Sequence, residues 1–259
     1  MHYYTRLSIE LANQRNYLDQ LFRVYPLAPD SIREIDENIW DRIESSYNEN
    51  NNILLFKELL MLDLFPIKDS YVPYFRKDIA AITRNPETVN RICGRIRELG
   101  LDKLYENCTQ PKETNRQMGP LFRRWISSGV LGIPLMDEYQ FRHSNQNALL
   151  RGSDSDLKIY ANKYLGFKRD KGLDLLCRYN GKYIIGEAKF ITDEGGHQND
   201  QFSDALLTIQ AETNENVISI GIIDGVLYIP SRKKMFKYIT SNDVPVMSAL
   251  LLRDFIYQI

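Results

Sequence analysis

Three residues offer the plainest chemistry in this sequence: Asp174, Glu187 and Lys189. They stand in Gly172-Leu173-Asp174-Leu175-Leu176 and in Ile184-Ile185-Gly186-Glu187-Ala188-Lys189-Phe190, with Asn180-Gly181 between the two segments. Glu187 and Lys189 are two apart, so on a strand they project from one face. A bare Glu-x-Lys is most often a surface ion pair, common and individually worth little. Here the pair is planted among Ile184, Ile185, Ala188 and Phe190, and three features argue for more. An acid sits on the preceding strand at hairpin distance, the next element is a helix able to cover the sheet, and Gly186 permits close approach of a backbone or ligand. Phosphodiester hydrolysis needs a nucleophile, neutralisation of charge on pentavalent phosphorus and help for the departing oxygen. Magnesium, small and hard, supplies much of this from two carboxylates and a backbone carbonyl while keeping several waters. In that reading Asp174 and Glu187 are the carboxylates and the Ala188 carbonyl is the third protein oxygen. Lys189 orients the attacking water and stabilises or accepts the charge it develops.

The elements that must position these residues follow from pattern. Leu173 to Tyr179, then Asn180-Gly181, then Lys182 to Phe190 predict a hairpin closed by a type I′ turn. Met118 to Ile126 and Asp154 to Leu165 predict amphipathic helices, the second capped by Ser153 or Asp154. His197 to Thr213 is long enough for a helix, and Val217 to Asp224 is β-branched and apolar, as a buried strand should be. Val246 to Leu252 predicts a further strand before a short terminal helix. The fold class is therefore mixed α/β, a central mixed β-sheet flanked by helices. Ahead of it the chain reads as helical, with Tyr17, Leu18, Leu21 and Phe22, and again Leu55, Leu59 and Leu60, at three- and four-residue spacing. Asn85-Pro86-Glu87 predicts a helix start with Asn85 as cap, running to about Gly100. The turn from Cys108 to Glu113, holding Pro111, predicts a boundary between a mainly helical region at 1–110 and a core domain at 111–259.

Composition bounds the class. With 43% hydrophobic and 26% charged residues in 259, the chain is ordinary globular material. The longest apolar stretch, Ile53 to Ile67, is broken by Lys57, Glu58 and Asp63, so no membrane span is expected. The first residues carry no leader pattern, and a cytoplasmic location is expected. Cys93, Cys108 and Cys177 form no C-x-x-C pair and His2, His143 and His197 are scattered, which argues against a zinc site or a disulfide framework. The net charge is −1, yet from Lys112 to Lys171 there are 11 Lys or Arg against 6 Asp or Glu. Such a segment can carry a phosphate-binding face or simply a solvated one.

The catalytic set resembles the motif of the PD-(D/E)XK nuclease superfamily. The run Gly186-Glu187-Ala188-Lys189-Phe190, continuing to Gly195-Gly196-His197-Gln198-Asn199, resembles one set of type II restriction endonucleases, as does Asn115-Arg116-Gln117-Met118-Gly119-Pro120-Leu121-Phe122 to Trp125. The resemblance spans roughly residues 113 to 225. It implies a restriction-endonuclease-like core, magnesium dependence and cleavage of double-stranded DNA leaving 5′ phosphates. Lys171-Gly172-Leu173-Asp174 lacks the proline of the eponymous Pro-Asp pair. The expectation is a type II restriction endonuclease acting as a homodimer on a short specific sequence, accompanied in its system by a DNA methyltransferase. Residues 1–110 would then serve dimerisation or DNA recognition. The rivals are another nuclease of the superfamily, for repair or junction cleavage, and an inert DNA-binding module. Candidate DNA contacts are Arg116, Arg123 and Arg124 on a helix, and His197 and Gln198 where a helix N-terminus can receive a phosphate. Solvent exposure for the arginines and helix capping for His197 and Gln198 are the competing accounts. Asp170 reads as a turn residue or a supporting acid, and Asp193 and Glu194 as loop residues or holders of a second metal.

Overall fold

The computed structural model describes residues 1–26, 33–110, 114–193, 195–231 and 233–259; the side chains of residues 114–116 and 197 lie outside the description. The chain forms two compact units, Met1–Leu27 with Thr114–Ile259, and Ala28–Glu113. The first unit begins with α1 (Tyr3–Ala12) and α2 (Tyr17–Val24). The second unit is helical throughout its described elements: α3 (Glu37–Asn48), α4 (Asn52–Met61), α5 (Val72–Lys77), α6 (Ala81–Arg84), α7 (Pro86–Leu99) and α8 (Leu101–Thr109). Ile43, Leu55, Phe56, Leu59, Ile92, Ile96 and Leu104 lie in its core, Leu55 and Leu59 on α4 and Ile92 and Ile96 on α7 at four-residue helical spacing. Pro86 does open α7, but Asn85 does not cap it with its side chain; the amide turns back and donates to the Ala81 carbonyl at 2.8 Å.

The sheet belongs to the first unit. Its flanking helices are α9 (Thr114–Trp125), α10 (Glu138–His143), α11 (Asp154–Tyr164), α12 (Gly196–Ile209), α13 (Lys234–Ser241) and α14 (Leu252–Tyr257). The strands are β1 (Leu135–Met136), β2 (Ala148–Leu150), β3 (Leu175–Tyr179), β4 (Lys182–Ile191), β5 (Val217–Gly225) and β6 (Val246–Met247), lying side by side in that order. The pairs β2–β3 and β3–β4 are antiparallel; β1–β2, β4–β5 and β5–β6 are parallel, so the sheet is mixed. Asn180 and Gly181 both take positive φ, 49° and 78°, as the turn joining β3 to β4 requires. Ser153 and Asp156 form a capping box at the start of α11. Side chains alternate between two buried clusters. Leu175, Cys177, Ile184 and Ala188 face one, Leu176 and Ile185 the other.

Two further expectations need correction. The strand expected over Val246 to Leu252 stops at Met247, because Ser248 donates its hydroxyl to Asp224 and accepts the Leu250 N–H, turning the chain into a short 3₁₀ turn and α14. Residues 1–26, grouped by sequence with the helical region 1–110, pack on the sheet instead. Thr5 donates to the Val246 carbonyl at 2.7 Å, and the Tyr17 and Tyr25 hydroxyls donate to the carboxylate of Asp224 at 3.1 and 2.9 Å. Asp224 is fully buried and also receives the Ala249 N–H. Burial pushes its carboxyl above the ordinary value, against the pull of these donors.

Candidate active site

The β3–β4 register pairs Leu175 with Gly186, and continuing it one step sets Asp174 opposite Glu187. Two hydrogen bonds hold that step. The Asp174 N–H donates to the Gly186 carbonyl at 2.9 Å, and the Ala188 N–H donates to Asp174 Oδ2 at 3.0 Å. In an extended strand the N–H and C=O of one residue point to the same edge, so the Ala188 carbonyl opens where β3 has ended and Asp174 sits. Glu187 is 1% exposed and Asp174 8%. Lys189 Nζ lies 2.6 Å from Glu187 Oε1. That contact is an ion pair without hydrogen-bonding alignment, and Oε1 is a buried oxygen with no hydrogen-bond donor. Gly186 admits a close approach of backbone, as expected, but from the core: a methyl group there would meet the Ile220 carbonyl oxygen at 3.2 Å and the side chains of Ile220 and Ile222 at 3.1 Å. A second close approach occurs at Gly221, paired with Glu187 across β4–β5, where a methyl group would meet Ile209 of α12 at 3.0 Å.

That approach brings α12 onto Glu187. Thr208, fully buried, donates its hydroxyl to Glu187 Oε2 at 2.8 Å and accepts from Arg169 at 2.6 Å. One turn earlier Asp204 accepts Lys171 Nζ at 2.7 Å and Arg169 at 3.3 Å, and Lys171 Nζ also stands 3.8 Å from Glu187 Oε1. Lys171 is raised above its ordinary pKa, foremost by the hydrogen bond to Asp204 and despite partial burial. Burial pushes the Asp204 carboxyl up, but Lys171 and Arg169 outweigh it and hold it below the usual value. From α9, Arg123 Nη1 reaches Asp174 Oδ1 at 2.6 Å. Burial nevertheless raises the Asp174 carboxyl, opposed by the Ala188 N–H, Lys189 and Arg123.

Asp174, Glu187, Lys189, Arg123, Lys171 and Asp204 line a cavity of about 430 Å³, with Thr208 and Arg169 behind them. Its acids are Asp154, Asp174, Glu187 and Asp204, and its cations Arg123, Lys171 and Lys189. Of the remaining candidates, Arg124 is exposed on α9, and Gln198 accepts the Thr192 N–H at 3.3 Å through its side chain rather than capping α12. The side chains of Arg116 and His197, and Glu194 as a whole, lie outside the described residues. Asp170 is 94% exposed and pairs with Lys158, away from the cavity, and Asp193 faces Lys233 at 3.7 Å. Within the basic segment Lys158 and Lys168 hold acids outside the cavity lining and Arg169 holds Asp204 from beside it, while Arg123 and Lys171 line the cavity and hold Asp174 and Asp204 there. Sequence reasoning missed Arg169, Lys171, Asp204 and Thr208. The signal available was the spacing of Gln201, Asp204 and Thr208, which share one face of a helix.

Among the described residues no three acidic, histidine or cysteine side chains converge into a ready metal cage. Magnesium does not require one, since it binds through one or two carboxylates and completes its shell with water and phosphate. The hydrogen-bond-free Glu187 Oε1, Asp174 across from it and the Ala188 carbonyl on the same edge form an oxygen set that fits such an ion. No helix of the described residues is long and apolar enough to cross a membrane. No curated protein and no solved structure matches the chain. A family model described as Tsp45I type II restriction enzyme matches residues 2–259. Because that match takes in nearly the whole sequence, the chain belongs to the Tsp45I type II restriction enzyme family, a family of endonucleases whose substrate is DNA.

Proposed function

We propose that the protein is a magnesium-dependent type II restriction endonuclease of PD-(D/E)XK type, hydrolysing phosphodiester bonds at a short specific duplex sequence and leaving 5′ phosphates. The observation that carries this reading is the pair of buried carboxylates, Asp174 and Glu187, set opposite each other on one sheet face beside Lys189 at a cavity. Asp174, Glu187 and the Ala188 carbonyl would hold the ion. When bound, magnesium supplies Lewis-acid neutralisation of the phosphate charge. Lys189 holds the attacking water in line with phosphorus and offsets the charge that grows there. As the water oxygen bonds to phosphorus it gives up a proton to surrounding solvent, the bond to the 3′ oxygen breaks and that oxygen takes up a proton from solvent, leaving the phosphate on the 5′ side. Thr208 fixes Glu187, while Lys171, fixed by Asp204, faces the phosphate. Arg124, Gln198, Arg116 and His197 are proposed DNA contacts.

One such site attacks one strand, so a duplex cutter of this kind works as a homodimer with one site per strand. The helical unit Ala28–Glu113 would serve dimerisation or sequence recognition. The enzyme would act in the cytoplasm alongside a methyltransferase that protects the host sequence. The test is digestion of a plasmid of known sequence in magnesium or in chelator, with the ends mapped. Discrete fragments bearing 5′ phosphates, formed in magnesium alone, are expected; cleavage that persists in chelator or that produces no defined fragments overturns the reading.

A further inference from the structure

We propose that Arg123 is a displaceable occupant of the cation position on Asp174, holding the carboxylate until a divalent ion arrives and then turning to the substrate phosphate. The inference rests on the proposed role of Asp174 and Glu187 as cation holders, and adds to it a competitor built into α9.

Four observations carry it. Asp174 Oδ2 is committed to the Ala188 N–H, so Oδ1 is the oxygen that remains for a ligand, and Arg123 takes it at 2.6 Å. A divalent ion of magnesium's size binds a carboxylate oxygen at about 2.1 Å. A guanidinium on that same oxygen would then face two like charges within a few ångströms, an arrangement Coulomb repulsion disfavours even beside water. The helix side leaves room for the exchange. A methyl group at Gly119, one turn before Arg123, would lie at ordinary contact distance, 3.5 Å from Asp174 Oδ1 and 3.8 Å from Arg123 Nη1, so the bare glycine leaves methyl-sized space beside this oxygen and the guanidinium.

The two ends of the ion pair differ in freedom. The Arg123 side chain is 28% exposed against 11% for Asp174, so the arginine can swing on its stem while the acid stays pinned to the strand. Lys171, by contrast, is held by Asp204 and cannot leave without exposing two acids. Finally, the charge of the cavity fits an exchange. Four acids and three cations leave it one charge negative. A dication would turn that to one positive, which suits an incoming phosphate and gives a released guanidinium somewhere to go.

Manganese binding to the full chain, followed by the electron paramagnetic resonance of the free ion, tests this without reference to cleavage. Asp174→Asn should abolish the site. Arg123→Met should tighten manganese binding about tenfold, the worth of removing one charge-assisted competitor, and should weaken duplex DNA binding in calcium. Arg123→Lys should stay near the parent, and Arg123→Gln, neutral and polar, should follow Arg123→Met and decides the matter where methionine disturbs folding, as judged by melting temperature. Manganese affinity that is unchanged or lower in the folded neutral variants means that Arg123 only supports Asp174, and overturns this inference alone. Parental manganese binding that is absent, or that survives Asp174→Asn, overturns the assignment of the cation site itself and the inference with it.

Discussion

Replacing Thr208 with valine keeps the branched shape of a fully buried side chain and deletes one hydroxyl. That hydroxyl donates to Glu187 Oε2 at 2.8 Å and accepts from Arg169 Nη1 at 2.6 Å. Arg169 Nη1 keeps the Asp204 carbonyl at 3.0 Å, so the loss falls on Glu187, whose surroundings exclude water. A hydrogen bond to a charged group is worth about 1.5–3 kcal/mol, and we take about 2 kcal/mol. At about 1.4 kcal/mol per factor of ten, this corresponds to roughly thirtyfold in cation affinity or cleavage rate. It falls within the roughly 10–100-fold losses typical when an outer partner of a metal-binding side chain is removed. The assay is initial-rate plasmid cleavage across a magnesium titration, with melting temperature in chelator as the control for folding. Thr208→Ser restores the donor and should recover most of the activity. If folded Thr208→Val matches the parent to within about twofold at every magnesium concentration, the claim that Thr208 positions Glu187 is wrong.

Asp224 makes a stability prediction remote from the chemistry. Asp224→Ala strands the Tyr17, Tyr25 and Ser248 hydroxyls and the Ala249 N–H in a fully buried site and should cost about 3–5 kcal/mol, while Asp224→Asn keeps one accepting oxygen and should cost about 2 kcal/mol. Denaturant midpoints at neutral pH check both values, and midpoints equal to the parent's contradict the role given to Asp224 in fastening α1 and α2 to the sheet. Asp204 makes a pH prediction. Its carboxyl is held below the ordinary value, so between the folded and unfolded pKa the unfolded chain binds the extra proton. Its contribution is present above the unfolded carboxylate pKa, about 3.9, and is lost as pH falls through the folded one. Asp204→Asn should flatten the acid limb of the stability curve; denaturation midpoints that decline with acid as steeply as the parent's would count against the Lys171–Asp204–Arg169 cluster.

The geometry of Asp174, Glu187 and Lys189 was legible because it depends on local rules. Asn180-Gly181 dictates the turn, the turn dictates the register, and a period of two places the charges on one face. Lys171 and Thr208 were not legible, since their placement depends on where α12 crosses the sheet. The spacing of Gln201, Asp204 and Thr208 marks a helix face, but that this face meets Glu187 depends on the missing side chain at Gly221 beneath Ile209, a tertiary fit. For the matching reason Gly186 was legible only as a place of close approach: a gap in a strand can admit a ligand or a neighbouring backbone with its isoleucines, and only packing tells which. The run from Val244 to Leu252 is apolar at both strand and helix periods, and Ser248 with the distant Asp224 decides where the strand ends. The packing of α1 and α2 on the sheet likewise rests on hydrogen bonds spanning about two hundred residues of sequence, which no local pattern announces.

The most direct measurement compares the purified parent with Asp174→Ala and Glu187→Ala for cleavage of supercoiled plasmid in magnesium, after melting temperature and DNA binding in calcium have shown that each variant is folded and still engages the duplex. The account predicts that both variants bind DNA as well as the parent or more tightly, because a carboxylate repelling phosphate is gone, and that neither cuts it. Cleavage by either folded variant at the parental rate would contradict the assignment of these two carboxylates as the catalytic centre.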